Sequence, residues 1–337
     1  MRKELLERDR RILDVIITDY ILLAEPVGSR TVAKKYGINL SPASIRNIMA
    51  DLEELGFLYQ PHTSAGRIPT DKAFRYYVDS ILELKKIDKK RRDYIENSYR
   101  DLQRDVSKML RETSRILSIL SKLTGLVMAP KSKDLSLNYV ELIKLGPNKI
   151  LVILLYNTGI VENRFIESEV DLPEKDLKKF TNYINSLSKN LTISEIINKI
   201  TNDMEKEKTL YDELMLKVFS NEIEEEIYID GVLNILDYPD FSEIEKMKEI
   251  FHAFEEKRIL LSILDKALDT DDVQIIIGSE MDIKGINECA VVMCPYYKGG
   301  ITIGTLGVIG PIRMNYSEVI PLVDFTAKAI SKVLEMA

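Results

Sequence analysis

Apolar residues near the start of the chain recur at three- and four-residue steps: Leu5, Leu6, Ile12, Leu13, Ile16, Ile17 and Tyr20. That spacing predicts an amphipathic helix ending before Pro26, because the residue ahead of a proline avoids helical geometry. "GSRTVAKKYG", 28–37, predicts a short second helix closed by Gly37. A third starts at Ser41, a good capping residue, with Pro42 in its first turn and Leu40 placed to pack on Ile45; Gly56 ends it. "FLYQPHTSAGRIPT", 57–70, has the composition of two short strands around a polar loop, and Thr70 then caps a further helix, "TDKAFRYYVDSILEL". The order is that of a winged helix-turn-helix.

A different rhythm follows. Ile95, Leu102, Met109, Ile116 and Leu123 are spaced by seven, and Tyr99, Val106, Thr113 and Leu120 fall four after the first four of them. The 4-3 alternation predicts one long linking helix within 87–130, with a sticky seam along one side. Such a seam can pack on the protein's own next domain or on a symmetry mate.

After Pro130 the texture changes to strands. "NYVELIKL", "KILVILLY" and "GIVENRFIE" are joined by "GPN" and "NTG", which predicts an antiparallel three-stranded meander. Residues 171–226 are helical and heavily charged, "IYIDG" is a brief strand, 242–269 is helical, and strands return in "VQIIIG", "CAVVMCPYY" and "ITIGTLGVIG" before a closing helix over 315–336. The predicted class is α+β and multidomain: a winged helix over 1–86, the linking helix over 87–130, a mixed domain over 131–170 and 227–337, and a helix-rich insertion over 171–226.

Composition narrows the chemistry. A chain of 337 residues with 45% apolar residues can bury a large core. It contains no run of eighteen apolar residues, and "MRKELLERDRR" is unlike a signal peptide, so a cytoplasmic protein without membrane contact is expected. Cys289 and Cys294, five apart in an apolar strand, are expected to be buried free thiols. With only His62 and His252, 190 residues apart, neither a metal cluster nor a Ser-His-Asp arrangement is supported. "GGITIGTLGVIGP" spaces its glycines by three among β-branched residues, which suits a closely packed hairpin better than a phosphate loop. "DTDD", 269–272, lacks the pattern of a calcium loop. No enzyme and no cofactor are expected.

The net charge of −7 is uneven. Residues 1–84 hold 12 Lys+Arg and 12 Asp+Glu, so the deficit lies wholly in the rest, and a balanced first segment can still present one basic face. On a helical wheel of 43–55, Ile45, Ile48, Met49, Leu52 and Leu55 share one side while Ala43, Arg46, Asn47, Ala50 and Glu54 lie opposite. The alanines leave room for base edges, where Arg can bond guanine and Asn adenine. Asp51, Glu53 and Glu54 gather at the far end, so the capped end, with Ser41 and Ser44, is the one expected to enter a groove of double-stranded DNA. In the hairpin, Pro61 and Gly66 shape the turn, and His62, Thr63, Ser64 and Arg67 are sized to touch sugar and phosphate. Arg30 and Thr31 are candidate backbone anchors; Lys34, Lys35, Lys72 and Arg75 complete a basic set with Arg30.

"SPASIRNIMADLEELGFLYQPHTSAGRIPTDKAFRYYVD", 41–79, closely resembles the DNA-binding domain of the HrcA family, the bacterial heat-inducible transcription repressors. "GGITIGTLGVIGPIRMNYSEVIPLVDFTAKAIS", 299–331, resembles that family's C-terminal signature, and "YIDGVLNILDYPDF", 228–241, a third block. The resemblance implies a winged helix, a GAF-like domain and a dimerisation domain inserted within it. It further implies a homodimer that represses chaperone operons from an inverted repeat called CIRCE and is kept active by the GroEL chaperonin, with 41–55 as the DNA-contacting helix and 58–69 as the wing. The rival expectation is a winged-helix regulator controlled by a small ligand in the GAF-like domain.

Overall fold

The computed structural model describes residues 5–35, 38–63, 65–100, 102, 105–130, 135–157, 159–168, 171–187, 191–193, 195–196, 198, 218, 227–283 and 285–336. Gly37 and Ser64 lie outside the described residues. The N-terminal unit comprises α1 (Glu7–Leu23), α2 (Ser29–Lys35), α3 (Pro42–Glu54), β1 (Leu58–Tyr59), β2 (Ile68–Pro69) and α4 (Asp71–Ser80). The apolar stripe of α1, with Ile12, Leu13, Ile16 and Ile17, is buried against Ile45, Ile48, Met49 and Leu52 of α3 and Phe74 of α4. Each such side chain taken out of water contributes roughly 1.5–3 kcal/mol. The two strands pair antiparallel, and a bridge between Val27 and Arg67 adds a third rung. Here a glycine is required: a Cβ on Gly66 would collide with the Val27 carbonyl.

The heptad segment is two helices, α5 (Lys89–Ser98) and α6 (Val106–Ser121), and not the single rod its spacing predicts. Asp105 starts the second, its carboxylate accepting from the Lys108 N–H at 3.0 Å. The fold-back is reported by the Tyr99 hydroxyl, which bonds Thr113 Oγ1 at 2.8 Å although the two are fourteen residues apart; on one straight helix they would stand about 21 Å apart. The seam is satisfied within the chain. Ile95, Tyr99, Met109, Thr113, Ile116 and Leu123 are all buried.

Directly after α6, Lys122 turns the chain in the left-handed conformation into β3 (Thr124–Met128), a strand that the heptad rhythm conceals. It lies inside a five-stranded antiparallel sheet completed by β7 (Ile227–Asp230), β8 (Gln274–Ile277), β9 (Cys289–Lys298) and β10 (Ile301–Pro311), in the order β7-β3-β10-β9-β8. Alternate residues feed two cores: Val127, Val292, Tyr296 and Val308 pack with α6 and α10 (Tyr316–Met336), whereas Leu126, Val291, Met293 and Ile309 pack with α8 (Ile244–Glu255) and α9 (Lys257–Asp265). Burial on both faces explains the continuous apolar run of β9. Cys289 and Cys294 are buried free thiols, and burial pushes both up, Cys294 to about 12. The glycine-rich stretch is the β9–β10 hairpin, turning at Gly299 and Gly300 with positive φ.

The meander forms as expected in β4 (Leu137–Gly146), β5 (Lys149–Tyr156) and β6 (Val161–Glu167), but as a separate sheet. Its inner face is covered by α7 (Glu174–Leu187), through Leu177, Phe180 and Ile184. Because β3 and β7 are hydrogen-bonded neighbours, everything between them, 129–226, interrupts one sheet. The insertion therefore begins after Met128 and takes the meander with it, rather than starting at 171. Hairpin chemistry announces strands without saying which sheet they join. Most of 188–226 lies outside the described residues.

The N-terminal unit sits on the edge of the five-stranded sheet. Phe74 of α4 packs its ring 6.3 Å from that of Tyr316, and Arg313 bonds both Asp240 oxygens, at 3.0 and 2.8 Å, while donating to the Ile21 carbonyl at 3.1 Å. Glu318 accepts from Lys85 and Arg91, and those hydrogen bonds hold its carboxyl below the ordinary range.

Candidate nucleic-acid interface

Helix α3 begins as the sequence predicts. The Ser41 hydroxyl accepts from the Ser44 N–H at 3.1 Å, Pro42 occupies the first turn, and the two serine hydroxyls lie 3.0 Å apart. Such a cap is worth about 1 kcal/mol and leaves the first-turn N–H groups, the positive end of the helix dipole, facing outward. The buried stripe is Ile45, Ile48, Met49 and Leu52; Leu55 ends the helix and is 38% exposed. Ser41, Ala43, Arg46 and Asn47 are exposed, and Ser44 and Ala50 are half-buried along the same side. Arg46 and Asn47 are exposed on the side of α3 away from its buried stripe, and among the described residues no hydrogen bond or ion pair engages either side chain. Arg30 and Thr31 are exposed at the first turn of α2, which packs beside α3.

The hairpin stands next to this surface. Its tip is tied by Gln60, whose side-chain amide donates to the Thr63 carbonyl at 3.0 Å and the Ala65 carbonyl at 2.9 Å. His62 and Thr63 are exposed at that tip. Arg67 is placed differently from its neighbours: it sits at the root of the hairpin, half-buried, and its Nε donates to Glu53 Oε2 at 2.7 Å. It braces the hairpin against the C-terminal end of α3, since a guanidinium so placed answers the acidic end of the helix.

The basic set also divides. Arg30 and Lys34 are exposed, whereas Lys35 pairs with the buried Asp19, Lys72 donates to the Leu55 carbonyl at 2.6 Å and lies over the Phe57 ring, and Arg75 turns away to Glu280. Three of the five cations thus serve the fold. Sequence spacing could not separate them, because Glu280 is 205 residues from Arg75.

A cleft of about 580 Å³ opens between the hairpin root and the C-terminal body. Tyr20, Tyr59 and Phe74 line one side and Asn287, Ile312 and Arg313 the other. Each fully charged lining side chain is engaged: Asp71 with Ser279, Lys72 with Leu55, Asp240 with Arg313, and Lys246 with Glu288. Burial, with Asp240 nearby, pushes the Tyr20 phenol up to about 12. Among the described residues no cluster could hold a metal ion, and no helix is long and apolar enough to cross a membrane.

Residues 107–320 match the family model described as the HrcA protein C terminal domain. The chain is 45% identical over 335 residues to the heat-inducible transcription repressor HrcA of Geobacter sulfurreducens, covering 98% of each. It is 41% identical over 341 residues to that of Syntrophobacter fumaroxidans, with 98% of each covered, and 37% identical over 336 residues to that of Pelotomaculum thermopropionicum, with 98% of this chain and 97% of the relative covered. A crystal structure described as that of a hypothetical protein at 2.2 Å resolution has the same fold, with a TM-score of 0.65, 24% identity and 99% of each chain covered.

Proposed function

The chain belongs to the HrcA family of heat-inducible transcription repressors, and from that premise we propose that it is a homodimeric, sequence-specific repressor that reads an inverted repeat with α3 and the hairpin. The observation that carries this reading is the capped helix with Arg46 and Asn47 exposed on the side opposite its buried stripe. Arg46 and Asn47 reach base edges, the Ala43 and Ala50 positions admit the groove wall, Ser41, Ser44, Arg30 and Thr31 meet the backbone, and His62, Thr63 and Ser64 approach the neighbouring minor groove. Arg67 acts one step back, by holding the hairpin. The protein works in the cytoplasm with its operator, and no catalytic role is assigned.

A gel-mobility shift with an inverted-repeat duplex against its scrambled counterpart, at stated salt, tests the reading. Arg46→Ala is expected to weaken binding by about 1–3 kcal/mol and to relax preference at one base pair per half-site. Equal affinity of the unaltered protein for repeat and scramble would sink it.

Two-fold symmetry of the operator demands a two-fold protein. The outer face of the meander supports a second copy as the partner: Tyr139, Ile143, Leu145, Val161 and Phe165 are all exposed there, and Leu151, Ile153 and Leu155 are half-buried between them. Glu141 and Asn163 flank Ile153 on the same face, so two apolar rows border a polar one, and exposed apolar surface rimmed by polar residues marks interaction sites. The family resemblance supports the finer reading that the operator is CIRCE, the genes are chaperone operons, and the GroEL chaperonin keeps the repressor competent. Chaperonin binding that captures or restores the competent form would raise its population by mass action. Operator affinity measured with and without chaperonin is expected to rise with it; identical values would remove the chaperonin from the mechanism.

A further inference from the structure

The first turns of α4 meet the outer edge of the five-stranded sheet through a polar contact of defined geometry. Arg75 Nε donates to Glu280 Oε1 at 2.9 Å and Nη2 to Glu280 Oε2 at 2.7 Å, while Nη2 also reaches the Ile275 carbonyl of β8 at 2.5 Å. Glu280 is fixed in turn, since its Oε2 accepts from the Ile277 N–H at 2.9 Å. Beside it, Asp71 accepts from the Ser279 N–H at 2.9 Å and from the Ser279 hydroxyl at 3.0 Å. Gly278, at φ +52°, leaves the space that the Asp71 carboxylate occupies; a Cβ there would overlap it. Across the cleft, the Arg313 bond to Ile21 makes a second anchor.

A lone ion pair permits rotation about itself, whereas two parallel bonds in one plane, with separate anchors on either side, fix an orientation. None of these groups belongs to the surface that faces DNA. We propose that Arg75 and Asp71, with Glu280 and Ser279, are specificity-determining residues that act without touching DNA: they set the angle at which each winged domain leaves the body, and hence which half-site spacing a dimer accepts. Adding one base pair between half-sites rotates one of them by about 35° and moves it about 3.4 Å along the axis. Reading heads held rigidly cannot follow both displacements; heads on a loosened joint can.

The proposal rests on the dimeric, two-half-site reading above, and its test separates the two. Affinities would be measured for inverted-repeat duplexes whose central spacer is varied in single base pairs, and for a duplex with one half-site. The unaltered protein is expected to prefer one spacer length and to lose at least about tenfold at two base pairs either side. Glu280→Gln removes a carboxylate, so no phosphate contact is lost with it. It is expected to flatten that profile to within about threefold while leaving one-half-site binding unchanged. Arg75→Gln, which cuts the same contact from the other side, is expected to flatten it too. A profile as steep in both single variants as in the unaltered protein overturns the proposal. If the unaltered protein discriminates no spacer and binds no inverted repeat, the proposed function falls instead.

Discussion

Phe165→Glu is expected to leave the protein monomeric and to lower its affinity for a two-half-site duplex by about 10²–10⁴-fold, or about 2.7–5.5 kcal/mol, with one-half-site binding unchanged. Phe165 is the most exposed large apolar residue of the meander, at 73%. It pairs across β5 with Leu151, which pairs in turn with Ile143, so one row of the outer face is apolar on all three strands. A two-fold interface buries the same patch on both subunits, so one substitution per chain places two desolvated carboxylates in the contact without partners. The fold should survive, because the inner face carries Val140, Val152, Leu154 and Ile166 independently of Phe165. Sedimentation and operator titration check it. A variant that remains a dimer at unchanged affinity would move the interface elsewhere.

The winged unit was legible because its signals are local. The α1 stripe, the Ser41 cap with Pro42 and the Thr70 cap all lie within a few residues of the structure they specify, and all recur in the fold. The body is legible in most of its strands and in its helices over 242–269 and 315–336, but not in how these assemble. A stretch such as "TGLVM" is five residues long, and the heptad rhythm running up to Leu123 overlays it, so the interior strand β3 is hidden within a predicted helix. That rhythm was itself misleading in one respect: periodicity specifies a buried side but not continuity, and Asp105 could start a new helix without disturbing it.

The candidate site divides along the same line. Exposure of Arg46 and Asn47 followed from the wheel of a single helix. The roles of Arg67, Arg75 and Lys72 did not, since each is settled by a carboxylate or carbonyl that the chain reaches only after folding: Glu53 for the first, Glu280 for the second, Leu55 for the third. A cation in sequence is a candidate for phosphate or for a partner within the protein, and only the second possibility has a geometry to inspect.

Phe74→Ala is expected to cost about 3–5 kcal/mol in denaturant unfolding, the range for truncating a fully buried aromatic ring. Phe74 is 1% exposed and packs between Tyr20 of α1, at 6.4 Å between ring centroids, and Tyr316 of α10, at 6.3 Å. The space it leaves cannot readily close. Tyr316 is held by its hydroxyl on the Ile312 carbonyl at 2.7 Å, and the neighbouring turn of α4 is held by Asp71 and Arg75 on the sheet edge. A wall that cannot relax places the cost toward the upper end, because the cavity persists. Tyr59→Ala provides the contrast: its ring is 47% exposed beside the cleft, and truncation there should change stability by less than about 0.5 kcal/mol. The pair separates packing between the winged domain and the body from mere aromatic content. A loss under about 1 kcal/mol at Phe74 would show that α4 does not carry the winged domain's packing into the body.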